Sequence, residues 1–550
     1  MNELIFENRK FNNNNLNQIK SVYLNNYPIV YILYNKKRPT AYVGQTVHAS
    51  RRMKDHLSNP ERSVFDNTIL IGHEEFNQSA TYNIETNLIN YFIADNHYKL
   101  QNVSQTVRTQ MHNYYQKEYY NEVLFEKVWE KLREEKIVFE TIEHLRNKDI
   151  FKLSPYKALS EQQLEIKNKI IDFCKRNIDQ PGHHVLLIEG DAGTGKSVLL
   201  SSLFNTIQDY SNDTSSKLAG TKNFLLVNHT EMIKTYQSIA FSLPNLKKKN
   251  FLKPTPFINT MDKTSSSADI VLVDEAHLLL SKEDSYNNFR YDNQLEEIIK
   301  RSKISVVIFD PKQVLKIKSY WNNNLLEEIT QMHNAETFKL TNQFRINAGP
   351  EVINWIDHFV SKELLPIPNK DEKYKIKIAQ NSKEFKQAIL DKNKEHGLSR
   401  IVSTFDYLHK KDGEIYYVDE DGLNMPWNIT KDNTTWAEEA HTIREVGSIY
   451  TIQGFDLNYV GVVLGPSVGY DEENDQLKID IAKYKDTEAF RTRKDLTDEE
   501  NHKVKEEIVL NSINILMKRG IHGLYIYATD PKLRERLLEL EKEGKINYQD

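Results

Sequence analysis

Residues 184–207 read HVLLIEGDAGTGKSVLLSSLFNTI. An apolar run, a glycine-rich turn and a second apolar-periodic stretch follow one another without a break. A run that is apolar at successive positions suits a strand buried on both faces, and the spacing after the turn is helical. The turn fits G-x-x-x-x-G-K-[ST] from Gly190 through Gly193 and Gly195 to Lys196 and Ser197. Glycines there let backbone N–H groups wrap phosphate oxygens, and the helix that follows turns its positive end to the same place. Lys196 is expected to neutralise the outer phosphates of a bound ATP and to lie exposed when the site is empty. Ser197 is expected to ligate Mg²⁺.

A second stretch completes this chemistry. Ile270–Val273 is another apolar run, ending in Asp274-Glu275-Ala276-His277. A carboxylate at a strand's C-terminal end faces the crevice where α/β sheets bind ligands. Asp274 is expected to hold the metal and Glu275 to orient the attacking water. Further apolar runs (NFLLV, KISVVIF, SRIVSTF, VGSIYTIQG, YVGVVLG, GLYIYAT) alternate with amphipathic stretches as far as the C-terminus. That alternation predicts an α/β multidomain chain with two parallel sheets.

The 550 residues suffice for several domains, and 39% hydrophobic with 10% aromatic residues excludes a disordered chain. The single cysteine, Cys174, excludes an intramolecular disulfide and a Cys-rich zinc site, and fits a reducing cytoplasm. No apolar run reaches ~18 residues, and no signal-peptide pattern opens the chain, so neither a membrane span nor secretion is expected. With 73 Lys+Arg against 78 Asp+Glu, bulk charge does not announce nucleic-acid binding. Residues 1–108 form a separate, mildly basic and Asn-rich segment in which FNNNNLN reads as a solvated loop. Residues 109–155 are charged and aromatic, without Gly or Pro from Gln110 to Lys152, and predict one or two connecting helices. Residues 156–342 and 343–550 are then the two α/β lobes.

Other residues carry a family resemblance. Gln163 (with Gln162 as an alternative) resembles the glutamine that reads adenine in superfamily 1 helicases. Asp310 and Gln313 resemble the D-x-x-Q motif that senses the γ-phosphate. Gln343-Phe344-Arg345, Gln453-Gly454-Phe455-Asp456 and Arg519 resemble three further helicase motifs, with Arg345 and Arg519 implied to reach the phosphates. The runs QFRINAGPEVINWID, IQGFDLNYVGVVLG and RGIHGLYIYATD are similar to the Schlafen-group-III-like helicase/ATPase domain. Two positions depart from the helicase pattern: Phe309 replaces the usual glycine and Lys518 the usual threonine. Trp355, Trp427 and Trp436 are candidate stacking platforms for bases, with core packing the stronger reading for Trp355.

The N-terminal segment resembles another family. Ile29-Val30-Tyr31 and Tyr42-Val43-Gly44 lie on two apolar runs that read as a hairpin, and two helical stretches follow them. Arg52 and His56 are four apart, on one helix face, with His48 a competitor of His56. Glu85 borders an apolar stripe made by Ile84, Leu88 and Phe92. With Asn102, these residues resemble the GIY-YIG nuclease, a small α+β domain, with Ile29 in place of its first glycine. The resemblance implies a water activated under Tyr31, proton transfer and phosphate contact from Tyr31 and Tyr42, a forked cation on the scissile phosphate from Arg52, His56 beside it as a catalytic candidate, and Mg²⁺ or Mn²⁺ on Glu85. Asn102 is expected to orient phosphate or a nearby hydroxyl.

Together these features predict a metal-dependent endonuclease fused to an ATP-dependent helicase or translocase of two RecA-like lobes. DNA is the expected substrate, with RNA open, and a restriction-like defence against phage is the expected role. Two alternatives stand beside it. One is a repair or recombination helicase–nuclease. The other is an ATP-dependent nucleic-acid sensor with a degenerate nuclease domain.

Overall fold

The structure is a computed structural model that describes residues 4–16, 19, 21–102, 114–190, 194–284, 288–310, 313–315, 317, 323–333, 335–340, 348–368, 373–410, 412–429, 436–452, 456–493 and 496–546. Three sheets organise them. The first has the spatial order Ile5–Lys10, Asn67–Gly72, Ile29–Asn35, Thr40–Thr46, Lys99–Leu100. Its first three pairings are antiparallel and the last is parallel.

Ile29–Asn35 is more than one arm of a hairpin. It is a central strand buried on both faces. Ile29, Tyr31 and Leu33 face a core that contains Ala49 and Met53 of the helix Ala49–Ser58. Val30, Ile32 and Tyr34 face the core of the helix Gln78–Asp95. Alternation along this strand therefore decides which side chains share a face with His56. The flanking strands Ile5–Lys10 and Asn67–Gly72 escape the sequence reading, the first because most of its residues are polar. FNNNNLN is not a plain loop: Asn13–Leu16 forms one helical turn.

The second sheet has the order Glu336–Leu340, His184–Gly190, Ser302–Phe309, Ala268–Asp274, Asn223–Val227, Phe251–Leu252. Every neighbouring pair is parallel. His184–Gly190 comes first in this region of the chain yet pairs with its last two strands, so the chain leaves it in opposite directions across the sheet. That is a topological switch point, and the glycine-rich turn leaves the sheet there. The third sheet is also all parallel, in the order Lys375–Ile378, Gly520–Ala528, Leu457–Leu464, Arg400–Ser403, Val446–Gly447. Two antiparallel hairpins, Tyr417–Glu420 with Leu423–Pro426 and Val468–Asp471 with Gln476–Ile479, complete this part.

VGSIYTIQG was expected to be one strand. Only Val446–Gly447 is extended, and Ile449–Ile452 is helical. Ser448 causes the switch: its hydroxyl accepts from Tyr450 N at 3.1 Å, while its own N–H donates to Thr451 Oγ1 at 2.8 Å. Such local side-chain bonds compete with a ladder. The expected connecting helices are four pieces, Tyr119–Leu124, Phe125–Glu134, Ile142–Asn147 and Asp149–Lys152. The first of them is π-helical.

One apolar core runs from the first sheet through Trp129 and Leu145 to the second sheet. A separate core fills the third region and includes Leu315 from the segment after Ser302–Phe309. The two parallel-sheet regions also meet at Ile317 N to Ala489 O (3.0 Å), Asn511 Nδ2 to Val314 O (3.0 Å) and Arg493 Nη1 to Ser281 Oγ (3.0 Å). Among the described residues no helix is long and apolar enough to cross a membrane.

Candidate functional site

The C-terminal edge of the second sheet gathers most of the nucleotide residues expected from sequence. Lys196 opens the helix Lys196–Asn212, behind Gly195 in the left-handed region at φ 74°. A side chain there would be strained, so the glycine is a backbone requirement. Lys196 is 5% exposed, which corrects the expectation of an exposed lysine. Its Nζ donates to Gly190 O at 2.7 Å and to Asp310 Oδ2 at 3.0 Å. Gln313 Nε2 donates to the same carboxylate oxygen at 2.5 Å. Burial works against the charge of Asp310, but Lys196, His277 and Gln313 outweigh it and hold its carboxyl below the usual range.

Asp274 ends its strand fully buried. Glu275 N donates to its Oδ1 at 3.0 Å and the Tyr236 hydroxyl donates to its Oδ2 at 2.8 Å. Burial and the neighbouring Glu275 charge raise its pKa, against hydrogen bonds from Tyr236 and Ser197 and the charge of Lys196. Ser197 is thus brought to Asp274. A hydroxyl and a carboxylate beside a lysine form a hard-oxygen pair that could take Mg²⁺ together with phosphate oxygens. Glu275 sits at φ 51°, a strained conformation for a non-glycine residue of the kind found at working sites. Its Oε2 lies 3.1 Å from Nε2 of His277, whose pKa is lowered by burial.

Gln163 belongs to the helix Glu161–Asn177 and closes a capping box with Ser160. Its Nε2 also donates to the carbonyls of Thr194 (3.2 Å) and Gly195 (3.3 Å), so its amide braces the glycine-rich turn. Gly193, Arg345, Gln453 and Gly454 lie outside the described residues. Arg519 precedes Gly520–Ala528, is 2% exposed and has Nη1 3.8 Å from Asp456 Oδ1 of its own region. The departing Lys518 is buried and pairs with Asp357 at 2.7 Å. Trp355, Trp427 and Trp436 are all buried in the third region's core, which agrees with the packing expected of Trp355 and corrects the expectation of stacking platforms for Trp427 and Trp436. Tyr236 was missed, because a tyrosine inside a helix gives no motif signal.

The first sheet carries a second polar cluster. Tyr31 is fully buried, and a Cβ on Gly44 would lie 2.4 Å from its ring, so only glycine lets the ring cross there. Arg52 Nε donates to the Tyr31 hydroxyl oxygen at 3.2 Å, and that hydroxyl lies 2.8 Å from His56 Nε2. Burial, then Arg52 and Arg62, push His56 down to about 4, so its ring is neutral. The tautomer of that neutral ring sets which of the two groups donates. Burial, with Tyr42 and Glu85 nearby, pushes the Tyr31 hydroxyl above its ordinary value despite Arg52. Tyr42 stands beside both, 6.2 Å from the Tyr31 ring and 5.2 Å from the His56 ring. His56 rather than His48 joins the cluster: His48 is exposed and contacts Asn26 at 3.3 Å.

Glu85 is 5% exposed, so it lies inside the packed helix face rather than along its border. Asn102 does not reach this cluster through its amide. Its Oδ1 accepts from Val43 N (3.0 Å) and its Nδ2 donates to Val43 O (2.8 Å), which pins the chain to the strand. Arg62 was missed: its guanidinium covers the Tyr42 ring at 3.9 Å and bonds Gln101 Oε1 at 2.8 Å. Among the described residues no three His, Cys, Asp or Glu side chains are grouped as a protein-only metal cage.

The chain is similar to an uncharacterized protein of the yeast Saccharomyces cerevisiae. They are 39% identical over 418 residues, covering 70% of this chain and 92% of the yeast protein. Residues 183–530, more than half of the chain, match the family described as Schlafen group 3, DNA/RNA helicase domain. The match begins at the strand that leads into Lys196 and ends just past Gly520–Ala528, so it takes in both parallel sheets: the chain belongs to the Schlafen group 3 DNA/RNA helicase family.

Proposed function

We propose that the two parallel-sheet regions form a nucleic-acid-dependent ATPase of the helicase type. The observation that carries this is the convergence of Lys196, Asp310 and Gln313 with Ser197, Asp274 and Glu275 on one edge of one sheet. Lys196 would leave Asp310 for the phosphates of ATP, and Asp310 and Gln313 would then report the change through Val314, Leu315 and Ile317, which contact the other region. Glu275 would orient the attacking water. Ser197 and Asp274 would hold Mg²⁺, which neutralises charge on the phosphates. Arg345 and Arg519 would act on the transition-state charge. The test is ATP hydrolysis with and without single-stranded DNA, duplex DNA and RNA. Stimulation with strand displacement supports a motor, and stimulation without displacement supports a sensor.

The N-terminal unit is proposed as a phosphodiester endonuclease of the GIY-YIG type. Support comes from the buried relay of Arg52, Tyr31 and His56 next to Tyr42 and the buried carboxylate Glu85. In this reading water loses its proton to Tyr31 as Tyr31 passes its own to His56, and Arg52 faces the scissile phosphate. Glu85 would hold Mg²⁺ or Mn²⁺, a single carboxylate being sufficient where substrate oxygens and waters complete the shell. DNA is the first substrate to test and RNA the second. The restriction-like defence role rests on the pairing of cutter and motor. A repair or recombination role is the second reading. Incubation of the protein with plasmid, single-stranded DNA and RNA, with Mg²⁺ and with or without ATP, tests the cleavage itself.

A further inference from the structure

Tyr236 is on the helix Thr230–Ser242, away from every motif that resembles a helicase. It is 1% exposed. Its ring is stacked on Phe251 with centroids 5.7 Å apart and planes 11° from parallel, and Phe251 in turn meets Phe204 of the helix that begins at Lys196. The ring therefore has one position, and its hydroxyl one place to go. That place is Asp274 Oδ2, at 2.8 Å, with the Ser197 carbonyl oxygen a further 3.4 Å from the hydroxyl. The other oxygen of Asp274 is held by Glu275 N at 3.0 Å. A fully buried carboxylate bonded on both oxygens has a fixed orientation, and outer partners of this kind set how well an acidic group serves a cation.

We propose that Tyr236 is a positioning residue of the nucleotide site: it orients Asp274 so that Mg²⁺ joins the bound nucleotide, a role that rests on the ATPase proposed above. The hydroxyl supplies the hydrogen bond and the stacked ring supplies the aim. The Tyr236 hydroxyl is engaged by Asp274 and the Ser197 carbonyl, so metal-free nucleotide binding is expected not to need it.

The experiment is Tyr236→Phe, which keeps the ring and its packing. Binding of ATP carrying a fluorescent ribose tag is measured in EDTA and then against graded MgCl₂, with the unfolding temperature as a control. The expected result is unchanged affinity in EDTA and a roughly 10-fold rise in the Mg²⁺ concentration at half effect. In an Asp274→Asn background the same substitution should shift nothing further, because the route through Asp274 is already cut. An unchanged Mg²⁺ dependence overturns the proposal. Equal loss in EDTA and in Mg²⁺, or a lowered unfolding temperature alone, overturns it in favour of a packing role. If the parent binds no nucleotide at all, the ATPase reading falls first and takes this one with it, and that outcome is recognisable before the variant is made.

Discussion

Lys196→Ala should damage the empty protein as well as its chemistry. The Lys196–Asp310 pair is 3.0 Å long, with side chains 5% and 0% exposed. Deleting one partner of a buried pair leaves an uncompensated charge, at about 3–5 kcal/mol. Gln313 keeps its bond to Asp310, which places the loss at the lower end, about 3 kcal/mol. For a unit of 150–250 residues that corresponds to a fall of about 6–12 °C in its unfolding temperature. Adding Asp310→Asn removes the stranded charge and should recover most of the fall, while ATP hydrolysis remains abolished. The assay is calorimetric unfolding of the nucleotide-free parent, single and double variants, beside their ATP turnover. If the single variant unfolds at the parental temperature, the buried pair carries no stability. If the double variant is less stable than the single one, the stranded charge is not the cause.

Three other outcomes follow from the same geometry. Glu275→Gln should slow ATP hydrolysis by about 10²-fold with nucleotide binding retained within a few-fold, since the amide keeps the shape but cannot orient water as a carboxylate does; loss of binding would instead assign Glu275 a structural part through His277. Arg519→Ala should lower the turnover number by about 10²-fold and the affinity for ATP much less; a variant whose sole defect is weak binding or a lowered unfolding temperature would make Arg519 a partner of Asp456 and nothing more. Glu85→Ala and Arg52→Ala should each abolish nucleic-acid cleavage while ATP turnover persists, measured on the same preparation; a Glu85→Ala protein that cuts like its parent would move the nuclease site elsewhere.

The parallel sheets were legible because their central strands are apolar on both faces and end in a polar turn, as His184–Gly190 and Ala268–Asp274 do. What stayed hidden had other causes. Phe251–Leu252 and Lys99–Leu100 are too short to show a period. Val446–Gly447 gives way to a helix through one serine, a local competition that hydropathy does not register. At the candidate sites, charge and spacing singled out Lys196, Asp274, Arg52 and Glu85, but not what holds them. Lys196 reads as a solvated lysine until Asp310, 114 positions later, is placed against it. Asn102 has the right chemistry for a phosphate contact, and only the strand register shows that Val43 already occupies both ends of its amide.

The connector shows the same limit with more consequence. Its sequence predicts helices, and helices do fill most of it, yet the residues that matter come at its end. Lys152 Nζ lies 3.6 Å from Asp456 Oδ2, and Asp456 is the carboxylate beside Arg519. The next carbonyl, of Leu153, accepts from Ser201 Oγ at 2.6 Å, on the helix that starts at Lys196. Ser154 Oγ then donates to Asn90 Oδ1 at 2.6 Å, and Asn90 Nδ2 donates to Tyr156 O at 3.2 Å, on the helix that carries Glu85. Burial, followed by the charges of Asp209 and Glu85, raises the Tyr156 hydroxyl, so that side chain feels both the nucleotide-site helix and the N-terminal cluster. Four of the five residues 152–156 thus contact all three sheet regions. A rotation of one region that displaced Asp456 would have to break the Lys152 contact or draw the strand of chain with it, and the bonds to Ser201 and Asn90 lie within two residues of the pull. The three polar clusters are joined over a short stretch of backbone, which composition alone could never have shown, because Lys152, Ser154 and Tyr156 belong to no motif.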